Sequence, residues 1–96
     1  KIPPHVIRAL EGSLASFPAS AKIGCLVSNH RATLSAMETL DNSTFPLINF
    51  IISECGGCLV IREIFLNKRF KALFPNVHVV AVRKQNLTYQ TLRYTT

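Results

Sequence analysis

Acidic side chains are scarce in this sequence: five in 96 residues, and none after Glu63. Lys1, Arg8, Lys22, Arg31 and Arg62 cancel Glu11, Glu38, Asp41, Glu54 and Glu63, so residues 1–63 carry no net charge. The whole net charge of +6 therefore comes from Lys68, Arg69, Lys71, Arg83, Lys84 and Arg93. An excess so one-sided points to an anionic partner, nucleic acid foremost. Long apolar runs are missing too. The nearest, Phe45 to Leu66, is broken by Glu54, Arg62 and Glu63, and a span needs about 20 apolar residues, so no membrane helix is expected. Cysteine is sparse and odd in number, at three, which argues against a secreted disulfide framework and for a reducing compartment. The single methionine is Met37, so the expectation is a processed chain or a fragment. No Gly-rich loop ends in Lys-Ser/Thr, no Ser/His/Asp constellation forms and the acids form no pair, so no cofactor and no small-molecule substrate are expected. Asn42-Ser43-Thr44 and Asn86-Leu87-Thr88 match the glycosylation sequon, and with no secretory signal they read as chance matches.

What is present suits one packed α/β domain spanning 1–96, with 48% apolar residues. Pro3-Pro4 opens a helix whose face carries Val6, Leu10, Leu14 and Phe17, and Pro18 ends it. Residues 22–28 read as a strand. A helix through Ala32, Leu34, Ala36, Met37 and Leu40 follows, capped by Ser28 or Asn29. The apolar run 46–53 suits a strand buried on both faces. Leu59 to Phe74 reads as an amphipathic helix, 77–82 as a strand, 84–86 as a turn, and the Thr- and Tyr-rich segment 87–95 as a last strand. The expected order is α-β-α-β-α-β-β.

The strand at 46–53, the Cys55-Gly56-Gly57-Cys58 turn, the helix and the strand at 77–82 together predict a right-handed βαβ unit. A Cys-x-x-Cys at the strand-to-helix turn is where thioredoxin-like proteins carry their thiols. Orphan N–H groups at a helix N-terminus favour thiolate, so Cys55 would attack and Cys58 resolve. Glu54 opposes thiolate formation, and Leu59 supplies no cation. Zinc is the other chemistry for these residues. Cys55 and Cys58 make a half-site that Cys25, with His30 or His78, could complete, although a second close pair is lacking. Taken alone, Cys25 reads as a small buried hydrophobe and the histidines as ordinary surface or core residues.

Several short motifs fall in a consistent order. They are the apolar 47–53, Gly56-Gly57-Cys58, Arg62-Glu63-Ile64-Phe65, Lys68-Arg69-Phe70, Phe74-Pro75-Asn76, the apolar 77–82 and Leu92-Arg93-Tyr94. In that order residues 45–96 resemble the thioredoxin-like domain shared by mitochondrial ribosomal proteins and a small accessory subunit of respiratory complex I, while 1–44 align with nothing in that family. The resemblance implies a mixed sheet with a strand–CGGC–helix–strand core. It also implies a non-enzymatic subunit of a large mitochondrial assembly. Redox members of the family place a cis-proline after the third core strand, and no proline follows Pro75 here.

The function expected from the sequence is thus structural. The protein would be a constituent of the mitochondrial ribosome in the matrix, with Lys68, Arg69, Lys71, Arg83, Lys84 and Arg93 on rRNA phosphates and further contacts to neighbouring ribosomal proteins. The alternatives are a thiol–disulfide oxidoreductase using Cys55 and Cys58, a complex I subunit, a cytoplasmic location, and a Pumilio-like RNA reader. The last rests on a match at an offset of 33 between residues 14–27 and 47–60, with seven of fourteen positions identical, since periods in the thirties mark helical solenoids.

Overall fold

The computed structural model describes residues 1–18 and 22–96. Along them run α1 (Pro4–Ala15), β1 (Gly24–Ser28), α2 (Leu34–Asp41), β2 (Leu47–Cys55), β3 (Cys58–Leu66), α3 (Lys68–Leu73), β4 (Val77–Lys84) and β5 (Leu87–Tyr94). The chain is mixed α/β, as its sequence implies. β1 and β2 are parallel, with α2 crossing between them, and β2 and β3 are antiparallel. β4 and β5 form a separate antiparallel pair.

The segment after Cys58 departs from expectation. Instead of a helix from Leu59 to Phe74, β3 occupies 58–66 and only Lys68–Leu73 is helical. Gly56 and Gly57 both have positive φ, 58° and 83°. That pair of conformations makes the two-residue type I′ turn that joins antiparallel strands. Val60, Ile61 and Ile64 are β-branched and favour the strand it starts. The strand–CGGC–helix–strand core, and with it the thioredoxin-like arrangement, is not formed: CGGC closes a hairpin. The helical-repeat alternative also fails. Leu14 lies in α1 while its counterpart Leu47 opens β2, so the two similar stretches adopt different structures.

Period-two alternation divides the core into two layers. Leu47 faces α1 and α2, where it is buried with Ile7, Leu14, Ala32, Ala36 and Leu40. Its neighbour Ile48 faces the other way and packs with Ile64, Leu66 and Phe70, against which Phe74, Val77 and Val79 close. In α1 the inward face is Ile7, Leu10 and Leu14, whereas Phe17 lies past the helix end and is 62% exposed. Gly24 lets α1 approach the sheet, since a Cβ there would stand 2.5 Å from Leu47 Cδ2 and 2.7 Å from Leu14 Cδ1. Thr33, not Ser28 or Asn29, caps α2, its Oγ1 accepting from the Ala36 amide at 3.1 Å.

Asn67, fully buried, joins the layers. Its Oδ1 accepts from the amides of Leu47 and Phe70, and its Nδ2 donates to the carbonyls of Leu40 and Phe45, each at 2.9 Å. One side chain thus caps α3, ends α2 and starts β2. The β4–β5 hairpin lies with β5 against β3, where Gln90 Oε1 accepts from the Ile64 amide at 2.6 Å. None of the helices among the described residues is long and apolar enough to cross a membrane.

Candidate functional site

The hairpin makes Cys55 and Cys58 direct cross-strand partners, both exposed and both free. Neither sits at a helix N-terminus, because Cys58 opens a strand, so the helix dipole invoked for a redox thiol is not supplied. Cys25 is exposed rather than buried. It pairs with Ile48 on β1, the outer strand, and the layer of α3, β4 and β5 on that face stops short of β1, leaving Val27 58% exposed as well. Ile48 and Cys55 are seven residues apart on β2, about 23 Å at strand rise, so Cys25 cannot share an ion with the hairpin pair. No group of three or more His, Cys, Asp or Glu side chains able to hold a metal is found among the described residues.

The six cations of the C-terminal third fall into two groups. Lys68, Arg69 and Lys71 lie on α3, and Arg93 is the cross-strand partner of His78 at the start of β4, the strand that follows α3. Arg83 and Lys84 are at the hairpin tip, about 20 Å further along β4 at strand rise. Lys68 has a structural engagement. Its Nζ lies 3.7 Å from Asp41 Oδ2 and donates to Asn42 Oδ1 at 3.1 Å, and its amide donates to Asp41 Oδ1. Arg69, Lys71, Arg83, Lys84 and Arg93 are exposed and have no carboxylate partner among the described residues.

A cleft that sequence reasoning missed opens beyond the carboxyl ends of the parallel strands. β1 ends at Ser28, opposite Ile51, whereas β2 continues to Cys55. The overhang forms one wall with Ile51, Ile52 and Ser53, the loop after β1 adds Asn29, His30 and Arg31, and the β4–β5 turn adds Asn86, Leu87 and Thr88. The cleft encloses about 680 Å³, within the usual range for small-ligand sites, and carboxyl ends of parallel strands are where open α/β sheets bind ligands. Its remaining wall comes from a β-bulge. Ile51 pairs with Glu63 and Ile52 with Ile61, so Arg62 is the extra residue. A bulge redirects side chains, and here Arg62 and Glu63, consecutive in sequence, both line the cleft. Glu63 is bonded to Arg31, while Arg62 has no carboxylate partner among the described residues. Ser53 Oγ is buried without a hydrogen-bond partner among the described residues.

The only signal of this site in the sequence was Gly56-Gly57 between two β-branched runs, which marks a hairpin. Neither the bulge nor the docking of the β4–β5 turn has a local signature.

Among known protein families, the one described as Required for respiratory growth protein 7 matches residues 1–92. The match includes 1–44, for which the expected family offered no counterpart. The described role, respiratory growth, is a mitochondrial function and keeps the mitochondrial association expected above. No curated protein matches, and no solved structure does.

Proposed function

The chain belongs to the Required for respiratory growth protein 7 family, and on that premise we propose that it serves respiration as a non-enzymatic, RNA-contacting constituent of the mitochondrial ribosome in the matrix. The observation that carries this reading is the unopposed charge of its second layer. Arg69, Lys71, Arg83, Lys84 and Arg93 are exposed on α3, β4 and β5 with no acid in 64–96 to neutralise them. Cations spread along a hairpin suit successive backbone phosphates, which position a protein without reading sequence. Neighbouring ribosomal proteins would take the exposed apolar side chains, among them Leu34 and Tyr94.

Sedimentation of the tagged protein from a mitochondrial lysate tests the reading. Co-migration with ribosomal particles at moderate salt, lost at high salt, is expected. Arg69→Glu with Lys71→Glu should release the protein at moderate salt, and undiminished co-migration of that variant would sink the proposal. Lys68 is left intact because of its bond to Asp41.

A second reading is favoured by the cross-strand placement of Cys55 and Cys58: thiol–disulfide exchange by the hairpin pair. It requires that the reduced protein convert one equivalent of a disulfide substrate to dithiol, its own pair ending as the Cys55–Cys58 disulfide, a reaction that Cys55→Ser abolishes. No such reduction by the intact protein removes the reading.

A further inference from the structure

We propose that the cleft beyond β1 and β2 takes one nucleotide of a single-stranded RNA, its phosphate at Arg62 and its base against Ile52 and Leu87. The inference rests on the RNA-contacting reading and gives it a specific seat, distinct from the cations of α3 and β4. Two observations converge. The bulge turns Arg62 into the cleft beside Glu63. The Glu63 carboxylate, the only acid among the lining residues, is held by Arg31, so Arg62 leaves the cleft net positive. A planar guanidinium with five donors suits phosphate oxygens.

The wall chemistry favours a nucleotide over a bare anion. Amide side chains from Asn29 and Asn86 supply donors and acceptors on opposite sides, and the aliphatic stretch of β2 and β3 between them supplies an apolar surface. Bases of single strands are free to lie on such a surface and to present their edges to amides. Lys84 is the cross-strand partner of Leu87 and Arg83 of Thr88, so the strand leaving the cleft would meet the cations of the hairpin tip next.

The test is fluorescence anisotropy of a labelled ten-nucleotide RNA, with adenosine monophosphate as competitor. Arg62→Ala is expected to weaken RNA binding about tenfold, the loss of one charge-assisted contact, and Arg62→Lys to recover part of it. Adenosine monophosphate should displace the RNA and should shift the amide resonances of Ser53, Arg62 and Thr88. RNA binding unchanged by Arg62→Ala, or nucleotide-induced shifts confined to α3, overturns the cleft and leaves the surface reading standing. No RNA binding by the intact protein overturns both.

Discussion

Leu47 and Asn67 are bonded in both directions. The Asn67 backbone N–H donates to Leu47 O at 3.0 Å, and the Leu47 N–H donates to Asn67 Oδ1 at 2.9 Å. The side chain thereby completes at the base of β2 what a further β3 residue would have supplied, while the backbone turns away into α3. Ladder, helix cap and the end of α2 converge on one residue.

Asn67→Ala should therefore cost about 3–5 kcal/mol, because two amides and two carbonyls lose their partner at once and cannot all reach water. Urea denaturation measures it. A loss below about 1 kcal/mol, the worth of an ordinary surface change, would mean that the site rearranges around the smaller side chain.

The two hairpin turns give opposite expectations. Gly56 and Gly57 have open space where a Cβ would go, so Gly57→Ala costs only the left-handed backbone, about 1 kcal/mol. Gln85 holds φ 51° and Asn86 φ 63° in the second turn, where glutamine bears the same penalty already. Gln85→Gly should raise stability by up to about 1 kcal/mol. Thermal unfolding of both variants, with shifts of opposite sign, checks the pair.

Under mild oxidation Cys55 and Cys58 should join within one molecule, since the strand register makes them partners and both are exposed. Cys25 should remain alkylatable. Mass spectrometry after trapping with iodoacetamide distinguishes this from disulfide-linked dimers, which would mean that hairpin geometry disfavours closure.

Binding to RNA should fall steeply with salt, with a slope that records the phosphates neutralised. Arg69→Ala and Arg93→Ala should each reduce that slope by roughly one contact. Lys68→Ala should change it less, because Lys68 is tied to Asp41 and Asn42. An equal effect of all three would show that the Lys68–Asp41 pair opens on binding.

The elements whose sequence has one period were legible. The helix opened by Pro3-Pro4, the strand ending at Ser28 and the strands expected at 77–82 and 87–95 are present, although β4 runs on through Lys84, expected as part of the turn. Residues 58–66 were misread because Ile61, Ile64 and Phe65 fit helical spacing as well as strand alternation once Arg62 is bulged out, and a bulge resets the period. Phe17 matched the spacing of α1 but falls beyond it. The cations were legible as a set, their division into two groups was not, and the cleft depends on contacts between segments more than fifty residues apart, such as Asn29 and Asn86.

The bond from Ile64 to Gln90 has a further consequence. The amide it occupies lies on the side of β3 turned away from β2, an unpaired strand margin that β5 covers without joining it in a ladder. If the β4–β5 hairpin lifted away, that margin would be open to another molecule's strand, the usual beginning of aggregation. Gln90 therefore guards solubility as well as stability. Gln90→Ala, which leaves the Ile64 amide without this acceptor, should lower stability by about 1–3 kcal/mol and make the protein cloud first when concentrated or warmed.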